Sequence, residues 1–169
     1  LPELFRALRD GDRIVRCTAI SALADIGLQK AVPQVIRMLS DPDGNVSAWA
    51  ALALGRLGDK AAVPGLAEAL RNENPNTRYW AAMSLADFGE EAAVPALMDM
   101  LRDESSGVRW NVVEALGKLG HKAALPEILK LLRDPEPSVQ STVVETLQKL
   151  DGQEALKTLL RDGDDSTRA

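Results

Sequence analysis

Between Val94 and Leu101 the apolar side chains fall at Val94, Leu97, Met98 and Leu101, the three- and four-residue spacing of one helical face. Pro95 stands at the start of that segment, where a helix has no N–H to lose. The polar run Arg102-Asp103-Glu104-Ser105-Ser106-Gly107 interrupts it with turn-forming residues. A second apolar stripe follows from about Val108, through Val112, Ala115, Leu116 and Leu119. Gly120 closes it in the post-helical position that favours glycine. The pattern predicts helix, turn, helix, turn.

That unit recurs every 31 residues. Leu1-Pro2, Val32-Pro33, Val63-Pro64, Val94-Pro95 and Leu125-Pro126 share one register without insertion or deletion. Five copies are expected, over 1–31, 32–62, 63–93, 94–124 and 125–155, with a partial sixth over 156–169. In the sixth, Leu159-Leu160-Arg161-Asp162 matches Leu131-Leu132-Arg133-Asp134 after a shift of only 28, and Lys157 replaces the proline. Such a break suits an atypical terminal cap or an array that continues. A fixed period of this length marks a solenoid, in which each unit buries its apolar face against its neighbours. Leu23, Leu54, Leu85, Leu116 and Leu147 are expected at one buried position, and Ile26, Leu57, Phe88, Leu119 and Leu150 at another. Phe5 and Phe88 read as core. Gly27, Gly58, Gly89 and Gly120 close the second helices, and the small residues Ala24, Gly55, Ala86 and Gly117 let neighbouring helices approach closely.

The segment from Ala93 to Gly120, with its Ala-Val-Pro, Leu-Arg-Asp, Val-Arg and Ala-Leu-Gly-x-Leu-Gly elements, resembles the HEAT repeat, in particular the short bacterial phycobilisome-lyase subtype. It is also similar to artificial helical repeat binders built on a 31-residue HEAT-like consensus. The resemblance extends over essentially the whole chain. It implies an all-α, right-handed superhelix forming one domain, with first helices on the convex side and second helices on the concave side. It further implies a ladder in which loop carboxylates bridge neighbouring units. Asp10, Asp41, Asp103 and Asp134 would supply the acids and Arg16, Arg78 and Arg109 the bases, with Ser47, Gln140 and Asn72 as departures.

On each second helix, repeat positions 14, 17, 18, 21 and 25 form a stripe away from the leucine face. The stripe reads Ile14, Cys17, Thr18, Ser21, Asp25 in the first copy and Asn45, Ala48, Trp49, Leu52, Arg56 in the second. It reads Asn76, Tyr79, Trp80, Met83, Asp87 in the third and Gly107, Trp110, Asn111, Glu114, Lys118 in the fourth. The fifth has Ser138, Ser141, Thr142, Glu145 and Lys149. All three tryptophans and the single tyrosine therefore lie at positions 17 and 18 of the central copies. Four half-exposed rings would present about 300–500 Å², the size of the largest patch on a typical monomer. Leu52 and Met83 would extend that patch, and Arg56, Asp87, Asn111, Glu114 and Lys118 would edge it. An apolar centre with a polar rim is the anatomy of a protein-binding surface. The competing reading packs the rings between adjacent helices, although copies one and five manage there with Cys17, Thr18, Ser141 and Thr142.

Composition narrows the partners. The net charge of −5 argues against a generic nucleic-acid or anionic-membrane surface. One cysteine, Cys17, provides no disulfide framework, so a cytoplasmic setting is expected. The favoured oligomeric state is a monomer. No catalytic or metal-ligating residue and no cofactor are expected. Asp41-Pro42-Asp43-Gly44-Asn45 places glycine fourth and Leu52 twelfth, which is a turn and not a calcium loop. His121 is the only histidine and follows a helix-ending glycine. Trp110 and Glu114 share a face, as a HEAT-like DNA glycosylase would require, but phosphate contacts are poorly supplied. The expected function is a non-enzymatic scaffold for a protein or peptide in the groove of the second helices. The alternatives are a bilin-lyase-type subunit binding a tetrapyrrole, or an engineered HEAT-type binder. Framework drift such as Gln34-Val35-Ile36 against Gly65-Leu66-Ala67 speaks for a natural scaffold.

Overall fold

A computed structural model describes residues 1–89 and 93–150. The partial sixth copy lies outside the described residues. Among those described, the chain is ten α-helices joined by turns. The first helices of the five copies are α1 (Pro2–Ala7), α3 (Val32–Met38), α5 (Val63–Ala69), α7 (Val94–Asp99) and α9 (Leu125–Lys130). The second helices are α2 (Arg13–Asp25), α4 (Gly44–Leu57), α6 (Pro75–Asp87), α8 (Ser106–Lys118) and α10 (Pro137–Lys149). The chain divides into two compact units, Leu1–Leu97 and Met98 onward, with the boundary inside α7.

The local sequence sets each boundary. Proline opens the first helices, and they stop after six or seven residues. In the fourth and fifth copies the tail of the first helix tightens into a 3-10 turn, Met100–Arg102 and Leu131–Arg133. The turn is then organised by repeat position 10. Asp10, Asp41, Asn72, Asp103 and Asp134 each accept the N–H two residues on, at 2.8–2.9 Å. Position 12 caps the second helix, since Asp12, Asp43 and Asn74 accept from Ile14, Asn45 and Asn76. Gly27, Gly58, Gly89 and Gly120 all have φ between 66° and 69°, the left-handed conformation that ends a helix without a Cβ penalty.

The leucine position is the core: Leu23, Leu54, Leu85 and Leu116 are fully buried and Leu147 nearly so. The other expected core position is not uniform. Leu57 and Leu150 are buried, but Phe88 and Leu119 are half-buried and Ile26 is 59% exposed. Phe5 is likewise half-buried, not core.

Within 1–97, α4 and α6 approach closely on small and hydroxyl side chains. A Cβ on Gly55 would stand 2.3 Å from Ser84 Oγ, and one on Gly44 2.0 Å from Asn74 Nδ2. Ser84 Oγ donates to Ala51 O at 3.0 Å, and the buried Ser47 and Thr77 hydroxyls share a 2.8 Å bond. Within the second unit, a Cβ on Gly117 would meet Thr146 Cγ2 at 2.7 Å. The expected close approach is thus met at Gly55 and Gly117.

Candidate interaction surface on the second helices

The ladder fixes the helices that carry the surface. Arg16 donates from Nε and Nη2 to both oxygens of Asp41 at 2.9 Å, and from Nη1 to the carbonyls of Asp10 and Gly11. Arg109 repeats this with Asp134 at 2.7 and 2.8 Å and with the carbonyls of Asp103 and Glu104. Each arginine therefore binds its own loop through backbone and the next loop through a carboxylate 25 residues on. Arg78 reaches the carbonyls of Asn72 and Glu73. Hydrogen bonding from Arg109 holds the Asp134 carboxyl below its ordinary range, and the same pairs raise both Arg16 and Arg109.

One rung is replaced as a pair. Ser47 stands at the arginine position and Asn72, 25 residues on, at the aspartate position. Ser47 bonds Thr77 instead, and the Asn72 amide reaches Leu39 O at 3.5 Å. An arginine without its carboxylate would be a buried unpaired charge, so the two substitutions belong together.

Within 1–97 the stripe is most open on α2 and α4. Ile14 is 65% exposed and Trp49 42% exposed. They flank a groove of about 590 Å³ lined by Arg13, Ile14, Cys17, Thr18, Ser21, Asn45 and Trp49. Leu52, Tyr79, Trp80 and Met83 are half-buried, with Tyr79 and Trp80 edge to face at 5.0 Å. Arg56 and Asp87 are exposed; Arg56 Nη2 pairs with Asp25 Oδ1 at 2.5 Å, joining the equivalent positions of two copies. In the second unit Trp110 and Glu114 are half-buried and Lys118 is exposed. Asn111, expected at the surface, is 1% exposed, because its position turns inward on α8 as Thr142 does on α10. The first-copy residues Ile14, Cys17 and Thr18 were not expected as site residues. The signal was present, since position 14 is polar or glycine in Asn45, Asn76, Gly107 and Ser138 and apolar only at Ile14.

Burial pushes the Cys17 thiol up, with a further push from Asp43, so it is not a primed nucleophile. Asp41 and Asp43 spend their oxygens on Arg16 and on backbone N–H groups of their turn. No cluster of three metal-ligating side chains occurs among the described residues. No helix among them is long and apolar enough to cross a membrane.

The sequence profile of HEAT repeats matches residues 1–75, 35–108, 63–127 and 100–169. No curated protein sequence matches the chain. Among solved structures it is similar to the complex of CpcE and CpcF of phycocyanin lyase from Nostoc sp. PCC7120, at 28% identity and a TM-score of 0.78, over 95% of this chain and 68% of that chain. It shares its fold with YibA of Escherichia coli, at 24% identity and a TM-score of 0.70, over 87% of this chain and 57% of that one. It also shares it with a designed armadillo repeat protein in complex with the peptide (KR)4, at 21% identity and a TM-score of 0.61, over 95% and 90%.

Proposed function

This chain belongs to the HEAT-repeat family, and from that premise we propose that it is a non-enzymatic scaffold holding a protein or peptide segment on its second helices. The carrying observation is the pair of exposed apolar side chains, Ile14 and Trp49, flanking the groove between α2 and α4. Leu52, Tyr79, Trp80 and Met83 continue the apolar surface within the same unit, and Arg56 and Asp87 edge it. Trp110, with Glu114 and Lys118, offers a separate contact point in the second unit. Anchors mounted on helices lose little freedom on binding, which favours affinity. A designed repeat protein of the same fold holds the peptide (KR)4, and that mode of use supports the reading.

The test is recovery of partners by the intact chain beside Trp49→Ala and the triple Trp49→Ala/Trp80→Ala/Trp110→Ala. Partners retained equally by folded variants would sink the groove reading. An unfolded triple beside a fully binding Trp49→Ala would favour packing as the role of the rings.

A second reading rests on the 28% identity to the phycocyanin lyase complex. The same groove would then hold an open-chain tetrapyrrole against Trp49. Pigment that copurifies with the chain, absorbs in the visible and is lost in Trp49→Ala would put that reading first.

A further inference from the structure

The first helices carry a groove of their own within 1–97. It lies between α1 and α3, has a volume of about 810 Å³, and is lined by Phe5, Arg6, Arg9, Asp10, Arg37 and Met38 among others. Its charge is one-sided: three arginines face one aspartate, in a chain of net charge −5. Among the described residues Arg6 is tied only to Glu3, in an exposed pair at 3.1 Å. Neither Arg9 nor Arg37 makes an ion pair among the described residues. Asp10 accepts the N–H of Asp12.

The repeat supplies a control inside the same molecule. Three periods on, Phe5, Arg6, Arg9, Gln34 and Arg37 correspond to Met98, Asp99, Arg102, Glu127 and Lys130. Met98, Asp99, Arg102 and Glu127 line the equivalent groove of the second unit. There Glu127 accepts from Arg102 at 3.2 Å and from Lys130 at 2.5 Å, and those bonds, Lys130 first, hold its carboxyl below the ordinary range. That later groove is therefore self-neutralised. In the first groove glutamine replaces the clamping glutamate and arginine replaces an aspartate. Gln34 leaves Arg9 without the carboxylate that its counterpart Arg102 has.

We propose that the α1–α3 groove is a second docking site, which takes an acidic peptide segment bearing an apolar anchor. Its carboxylates meet Arg9, Arg37 and Arg6, and its anchor rests on Phe5 and Met38. Charge complementarity selects such a partner and speeds its encounter. A nucleic acid suits the site less, because the floor is half apolar and the rest of the chain repels an extended polyanion. This site is on the other helix layer of its unit and does not depend on the reading of the second helices.

The experiment uses the full chain and a fluorescein-labelled peptide of glutamates with a central phenylalanine, followed by anisotropy at low salt. A lysine-for-glutamate peptide is the comparison. The glutamate peptide should bind in a salt-sensitive way, and the lysine peptide should not. Arg9→Gln/Arg37→Gln should weaken binding by about tenfold, as expected for the loss of two exposed ion pairs. Gln34→Glu should weaken it similarly, because the introduced carboxylate would claim Arg9 as Glu127 claims Arg102. It adds a charge partner and gives up only the Gln34 amide's bonds to the Lys30 and Ala31 carbonyls, so it keeps the test open if the arginine variant is unstable. Arg102→Gln should leave the affinity unchanged. No binding by the intact chain, equal binding by Gln34→Glu, or equal weakening by Arg102→Gln would overturn the proposal. So would an oligothymidylate that binds as tightly through the same arginines, or a self-association seen by sedimentation and abolished by Gln34→Glu.

Discussion

Truncating Arg109 tests what ties one repeat to the next. Its guanidinium makes four hydrogen bonds, two to Asp134 at 2.7 and 2.8 Å and two to the carbonyls of Asp103 and Glu104 at 2.8 and 3.1 Å. The side chains of Arg109 and Asp134 are 11% and 2% exposed. Removing one partner of a buried pair costs about 3–5 kcal/mol, chiefly because the other charge stays buried. The lower end, about 3 kcal/mol, applies to Arg109→Ala, since Asp134 keeps the N–H of Glu136 at 2.9 Å. Arg109→Ala/Asp134→Ala removes that orphan charge and should cost less than Arg109→Ala alone, a clear coupling in a double-mutant cycle. The acid limb has a defined sign. Arg109 lowers the Asp134 carboxyl in the folded state. Its stabilisation is therefore complete above the unfolded value of about 4 and disappears as pH falls through the folded one. The gap between the native chain and Arg109→Ala should be full at neutral pH and narrow below about pH 4 to what the two carbonyl bonds contribute. Urea unfolding followed by both tryptophan fluorescence and circular dichroism measures it, with coincident curves required because the chain has two units. A gap constant down to strongly acid pH, or single substitutions that simply add, would refute the account.

Gly55→Ala should lose about 1–2 kcal/mol in thermal melts. Overpacking against Ser84, which is held by Ala51 O, outweighs the ~1 kcal/mol helix preference of alanine. Gly107→Ala, whose Cβ would meet only Ser105 Oγ at 3.7 Å, should gain up to ~1 kcal/mol, and like effects at both sites would count against close packing. Ser47→Arg/Asn72→Asp, which rewrites the missing rung, should destabilise by more than ~3 kcal/mol, because Ser47 is fully buried against Thr77; a native urea midpoint would refute this. Cys17 should alkylate with iodoacetamide more slowly than free glutathione near neutral pH, since burial raises its thiol; a faster rate would contradict that environment. Ile14→Asn/Gln34→Glu, which gives position 14 the residue of the second and third copies and position 34 that of the fifth, should leave stability within about 0.5 kcal/mol while weakening both proposed contacts; a large loss of stability would show that these residues serve packing.

The period made the helix pairs, the leucine core and the terminating glycines legible, because each depends on spacing within one copy. The caps at Asp12, Asp43 and Asn74 also share one repeat position, but only their hydrogen bonds in the structure identify them. Burial that depends on a neighbour was not. Ile26 and Leu57 look equivalent in sequence, yet only Leu57 is buried. Asn111 and Trp49 share one repeat position, but side-chain size and helix rotation place one inside and one out. The partnership of Ser47 with Asn72 was visible as two separate departures; only the 25-residue reach of Arg16 and Arg109 joins them.

A solenoid tolerates a departure only where its neighbours can absorb it, and that constraint sorts the departures of this chain. At the Ser47–Asn72 rung, charge is lost on both sides at once, and Thr77 and Ser84 fill the interface with hydroxyl bonds. That departure is compensated inside the fold. Ile14 and the Arg6–Gln34 combination have no such answer. An exposed isoleucine takes a polar position, and Arg9 and Arg37 are left without the clamp that Glu127 provides in the later groove. Uncompensated departures cost solubility or charge balance and return nothing to packing, so a contact beyond the chain is the consistent reason for them. Both fall on the first two copies, one on each helix layer, which makes residues 1–62 the part of the array where departures go unanswered by packing.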